Sequence, residues 1–111
     1  MNWTNITSLE SLKDALETSW IKPVLLFKHS TRCSISTAAL SKLERNWQNS
    51  TGVEAFFIDL LAHRDVSNEI ERVTGLKHES PQAIIVHKGE VLYHATHNGI
   101  LFQEIRESLP G

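Results

Sequence analysis

Cys33 is the residue best suited to covalent chemistry, and it is the one cysteine in the sequence. A thiolate attacks a disulfide sulfur, takes one half of the disulfide onto itself and releases the other half as a thiol. A single cysteine rules out an internal disulfide and a multi-cysteine zinc site within the chain. The ordinary fate of such a residue is burial as a small hydrophobe, but its neighbours argue for chemistry. If Cys33 opens a helix, the free N–H groups and partial positive charge of the first turn stabilise its thiolate. Arg32 adds to this if its side chain turns inward. Ser36 lies three residues on, where a two-thiol site carries its second sulfur, so Cys33-Ser34-Ile35-Ser36 is a C-x-x-S pattern. Ser36 either stands passively in place of a lost thiol or offers its hydroxyl to the thiolate.

Other candidates are weaker. His29, His63, His78, His87, His94 and His97 are scattered, with no metal-binding helix pair among them. His29 lies near the cysteine and could help activate it, but the simpler expectation is a surface histidine. His94 and His97, flanking the end of the last strand, read as structural. Lys28 could meet an anionic thiol, although lysines are mostly solvated. No metal site and no bound cofactor are expected. The formal net charge of −2 offers no basic footprint for nucleic acid or an anionic membrane. No stretch approaches the roughly 18 apolar residues of a membrane span. The N-terminus lacks the basic start and apolar run of a signal peptide, so the expectation is a cytoplasmic protein.

The elements that must position Cys33 follow from apolar spacing. The 111 residues, 41% of them hydrophobic, suit one domain over 1–111, without linker or repeat. Trp3 to Ile6 reads as a short edge strand. Thr7 and Glu10 fit a capping box, with Leu9, Leu12, Leu16 and Trp20 at helical spacing behind it. Val24-Leu25-Leu26-Phe27, after Pro23, is too short for a helix and reads as a buried central strand. Lys28 to Arg32 reads as a polar loop. A helix then begins near Cys33 or Ser34, with Ala39, Leu40, Leu43 and Trp47 as its stripe, and stops near Asn49 to Gly52. Val53 to Leu60 is an apolar strand. Val66, Ile70 and Val73 mark another helix that Gly75 stops. Ser80-Pro81 introduces two strands, Ala83 to Val86 and Val91 to Tyr93, joined at Lys88-Gly89 as a hairpin. Ile100, Leu101, Ile105 and Leu109 carry a last helix ending at Pro110-Gly111. The order β-α-β-α-β-α-β-β-α requires parallel pairing wherever the first three strands meet and an antiparallel hairpin at the end. The fold class is α/β: a mixed central β-sheet with helices on both faces.

This order, Cys33 with Ser36, and Ser80-Pro81 before the hairpin resemble thioredoxin-like proteins across the whole chain, which implies a thioredoxin-like three-layer sandwich. Within them, Thr31-Arg32-Cys33 and His78-Glu79-Ser80-Pro81-Gln82 resemble the monothiol bacilliredoxin family, also called the YtxJ type. The resemblance implies a thiol–disulfide oxidoreductase that removes bacillithiol, a low-molecular-weight thiol co-substrate, from bacillithiolated proteins. It implies Cys33 as nucleophile, Pro81 as a cis-proline facing it, and Thr31, Arg32, Ser36, Ser80 and Pro81 as residues that meet substrate, Ser80 through its backbone N–H and C=O. The sequence departs from thioredoxins in carrying Phe27 where they bury an acid and Arg32 where they place a tryptophan. Ser34 replaces the glycine of the Cys-Gly-Phe-Ser motif in glutaredoxin-like iron–sulfur carriers. Two rival functions are such a carrier and a thioredoxin-fold binding module with an inert cysteine.

Overall fold

A central strand buried on both faces must carry apolar side chains in both directions. The run after Pro23 does so: β2 spans Val24–His29, and every residue of it is buried. The other elements in the computed structural model, which describes residues 1–110, are arranged around this strand. They are β1 (Trp3–Asn5), α1 (Leu9–Thr18), α2 (Ser34–Asn46), β3 (Glu54–Asp59), α3 (Arg64–Thr74), β4 (Gln82–His87), β5 (Glu90–Thr96) and α4 (Phe102–Ser108). Short 3-10 turns occupy Asn49–Thr51 and His97–Gly99.

The five strands form one sheet in the order β1-β3-β2-β4-β5. β3 is parallel to β1 and β2, while β4 is antiparallel to β2 and β5. Alternation along β2 divides the core in two. Val24 and Leu26 pack with Leu12 and Ala15 of α1 and with Val66 and Ile70 of α3. Leu25 and Phe27 pack on the other face with Ala39 and Leu43 of α2 and with Phe102 and Ile105 of α4. The three-layer α/β sandwich expected from the element order is therefore present.

Several local expectations are corrected. The capping box belongs to Ser8 and Ser11, not to Thr7 and Glu10. Ser8 Oγ accepts from Ser11 N–H at 3.1 Å, and Ser11 Oγ accepts from the N–H groups of Ser8 and Thr7 at 3.1 Å each. Both pairs have the required spacing, but the Ser11 hydroxyl bridges two otherwise free N–H groups at once. The helix thus starts one residue later than Thr7 would set it. Trp20 is not on the helix stripe. α1 ends at Thr18, the chain turns back with Trp20 N–H donating to Glu17 O, and Trp20 is left 63% exposed. Leu9, at the helix's first position, and Val73, on α3, are also exposed.

Lys28 and His29 do not lie in a polar loop. They extend β2 by two residues, paired Lys28↔Ile58 and His29↔Asp59 on β3, with Lys28↔Gln82 on β4. A strand with neighbours on both sides gains ladder bonds from every added residue, and this outweighs the polarity of the side chains. α2 ends at Asn46, with Trp47 already extended. Gly75 closes α3 at φ 74°, the left-handed conformation in which glycine has no steric cost. Ile100 and Leu101 precede α4 rather than opening it, and Gly111, the expected end of that helix, lies outside the described residues.

Candidate active site

β2 ends at the sheet edge where the chain must turn to reach α2. Ser30 is buried, and its carbonyl accepts from Cys33 N–H at 3.2 Å, closing a tight turn over Thr31 and Arg32. Both turn residues are exposed. Cys33 is the N-cap of α2, with extended backbone (φ −112°, ψ 116°), and its carbonyl accepts the first helical bond from Thr37 N–H at 3.1 Å. An N-cap side chain normally lends an oxygen to the free N–H groups of the first turn. Here the cap atom is sulfur, half-buried, and no side-chain cap bond is formed. The sulfur is thus not tied into the cap.

Ser36 occupies the third position of α2, the partner position of a capping box. It is fully buried, and its hydroxyl is held within the protein. Oγ accepts from Ser30 N–H at 3.2 Å and lies 2.7 Å from His29 Nδ1. The end of β2 is thereby fastened to the first turn of α2. His29 is a buried residue, which corrects the expectation of a surface histidine. Its ring packs 5.4 Å from that of Phe57 and stacks with Phe27. Burial holds its pKa below the usual histidine value, against the opposing pull of Asp59 and Glu44. A neutral His29 allows two proton arrangements. Either the Ser36 hydroxyl donates to a bare Nδ1, or Nδ1–H donates to Ser36 Oγ and the hydroxyl proton is free for another acceptor.

Ser80 and Pro81 reach this site through strand pairing. Lys28 and Gln82 are cross-strand partners, so the start of β4 lies beside the end of β2. The Ser80–Pro81 bond is cis, Pro81 is buried, and its carbonyl accepts from His97 N–H at 3.1 Å. Among the described residues, the backbone N–H and C=O of Ser80 enter no backbone hydrogen bond. Thr31, Arg32, Cys33 and Ser36 are thus contiguous around one turn, with Ser80 and Pro81 brought to the same end of the sheet by tertiary pairing.

Sequence reasoning passed over Ile35, which sits 48% exposed on the first turn of α2 between Cys33 and Ser36. It presents an apolar surface next to the thiol. The signal was its place inside the C-x-x-S pattern, one position outside the buried stripe. Lys28 is also misjudged by its type: it is fully buried on the α1–α3 face of the sheet, away from any solvated thiol.

The profile of a family described as Monothiol bacilliredoxin BrxC matches residues 4–105. Among solved structures, a candidate oxidoreductase with a thioredoxin fold superposes with a TM-score of 0.84 at 25% identity, covering 96% of this chain and 92% of that one. A thioredoxin from Malassezia sympodialis gives 0.76 at 14% identity, over 97% of this chain and 90% of its own. Mitochondrial thioredoxin 3 from Saccharomyces cerevisiae, in its oxidised form, gives 0.76 at 15% identity, over 96% and 94%. The architecture described above is the thioredoxin fold.

Proposed function

This chain belongs to the monothiol bacilliredoxin family of thioredoxin-fold thiol-redox proteins, and on that premise we propose that it removes bacillithiol from protein mixed disulfides through Cys33. The observation that carries the reading is the lone sulfur at the N-cap of α2, without a side-chain cap bond and with a serine at the partner position.

In the first step the Cys33 thiolate attacks the bacillithiol sulfur of the mixed disulfide. The protein–bacillithiol S–S bond breaks as the Cys33–bacillithiol S–S bond forms, and the substrate's sulfur leaves with the electron pair and takes up a proton. No oxidant or reductant is consumed, because one disulfide replaces another. In the second step the thiolate of a free low-molecular-weight thiol attacks the bacillithiol sulfur of the adduct. The Cys33–bacillithiol S–S bond breaks as a disulfide between the two small thiols forms, and Cys33 leaves with the electron pair as the restored thiolate. Thr31, Arg32 and Ile35 are exposed beside Cys33, where a substrate must arrive, and the unpaired backbone of Ser80 offers an edge for an extended substrate segment. The substrates are bacillithiolated cytoplasmic proteins. No resident cofactor takes part in this scheme.

Intact mass spectrometry tests it. Mixed with a bacillithiolated test protein, the wild type gains one bacillithiol while the test protein loses one, and Cys33→Ser gains none. A wild type that stays unmodified while the test protein keeps its bacillithiol would overturn the reading in favour of an inert binding module.

A further inference from the structure

The strangest side chain in the molecule is Lys28. It is fully buried, and among the described residues it forms no ion pair. An ammonium taken from water without a carboxylate is costly unless its protons are well used. Two of them are. Nζ donates to the Ser67 carbonyl on α3 at 3.1 Å and lies 3.2 Å from His78 Nδ1. Ser67 Oγ approaches the same nitrogen at 3.0 Å. A charged lysine has no lone pair, so Nδ1 is the acceptor and the proton of a neutral His78 sits on Nε2.

His78 stands in the connection from α3 to β4, two residues before Ser80. The side-chain ties along this connection are few. Gln82 Nε2 donates to Lys77 O at 3.1 Å. Two further oxygens, Ser80 Oγ and Gln82 Oε1, are buried without a partner. Besides the backbone bond from His97 N–H to Pro81 O, the hold on this segment ahead of β4 rests on Lys28 and Ser67 meeting His78.

We propose that Lys28 and His78 are positioning residues for thiol exchange, forming a half-buried clasp from β2 through α3 that holds the Ser80–Pro81 segment ready for a substrate strand. The clasp rests on the proposed role of Ser80 in pairing with substrate. It also carries an acid release. A proton on Nδ1 would turn the acceptor into a donor facing an ammonium. The groups facing His78 are Lys28 from β2, Ser67, Arg64 and Glu71 from α3, and Glu79 from its own segment. Lys28 and Arg64 oppose the proton, whereas Glu71 and Glu79 favour it. Burial and Lys28 keep the His78 pKa below the ordinary value, so the clasp is shut at neutral pH and opens in acid.

His78→Ala and His78→Asn test this, because the Asn side-chain oxygen can stand where Nδ1 accepts but does not titrate. Three quantities are read from pH 5 to 8: bacillithiol transfer from the test protein, alkylation of Cys33 by iodoacetamide, and hydrogen exchange of the His97 amide, which is bonded to Pro81. His78→Ala should slow transfer about tenfold, the size of one lost charge-assisted hydrogen bond, and speed His97 exchange, with alkylation unchanged. His78→Asn should restore most of the rate and flatten the acid fall expected of the wild type once transfer is divided by the Cys33 alkylation rate at each pH. Transfer by His78→Ala at the wild-type rate and with the wild-type pH profile overturns the clasp, as does an Asn variant no better than Ala. If the wild type itself transfers nothing, the functional reading fails. The clasp then stands or falls on His97 exchange alone, and exchange equal in all three proteins overturns it.

Discussion

At the scale of single residues, Ser36 holds the first turn of α2 to the end of β2. A serine at a thiol's partner position can be a remnant, but this one is buried, accepts from Ser30 N–H and meets His29 Nδ1. Ser36→Ala leaves both without a partner in the interior, at a cost of about 1–3 kcal/mol in urea unfolding. Ser36→Cys instead places a second sulfur at the capping-box position opposite Cys33, a separation at which disulfides close. Charged with bacillithiol, the wild type should keep the adduct until an external thiol arrives. The variant should expel bacillithiol and weigh two hydrogens less than its reduced form. A stable adduct on Ser36→Cys would mean that the two side chains do not face each other. The residue types alone left Ser36 open between stand-in and donor. Its contacts with His29 and Ser30 give it a structural task that the residue types did not reveal.

At the scale of elements, two helix starts do different work. α1 begins with a reciprocal serine pair and α2 with a sulfur that makes no cap bond. The first is built for stability, so Ser8→Ala should cost about 1 kcal/mol in chemical denaturation. Thr7→Ala and Glu10→Ala, at the pair favoured by sequence spacing, should stay within about 0.5 kcal/mol. The reverse ranking would return the cap to Thr7. The second start leaves its N–H groups without a side-chain acceptor, which costs helix stability. Local spacing was enough to bring the start of α2 to Cys33 or Ser34, though not its end at Asn46. It misassigned the cap of α1 because Thr7 with Glu10 and Ser8 with Ser11 fit the same pattern, and only the three-dimensional reach of the Ser11 hydroxyl separates them.

At the scale of the whole molecule, pH acts through one buried lysine and two imidazoles. His29 and His78 both have pKa values below that of an unfolded histidine. As pH falls below 6.5, the unfolded chain binds protons that the folded one resists, so stability must decline. Lys28, lowered to about 8 from 10.5 by burial, acts at the other end. Below pH 8 both states carry its proton and the full burial penalty. Between pH 8 and 10.5 the folded state loses the proton first, and stability rises. Urea midpoints should therefore fall from pH 7.5 to 5, less so in His78→Asn. Relative to Lys28→Met, the wild type should gain on the order of 2 kcal/mol between pH 8 and 10.5. A parallel pH dependence in the lysine and methionine proteins would show that Lys28 is not held as a buried cation.

The sequence by itself determined the order of elements, the α/β class and the place of Cys33 at a strand-to-helix junction. These depend on short-range spacing: an apolar run behind Pro23, a 3.6-residue stripe behind Cys33, and Gly75 and Lys88-Gly89 as stops and turns. Only the tertiary structure decided that β2 sits between β3 and β4. That position buries Lys28 and His29, polar residues that any local reading assigns to a loop, because ladder bonds on both sides outweigh side-chain polarity. The same pairing sets Ser80 and Pro81 at the end of the sheet that carries Cys33, and joins Lys28 to Ser67 and His78 across tens of residues of chain. Contacts between residues so far apart leave no periodic trace in the sequence, since they arise from packing and from the need to satisfy each buried polar group.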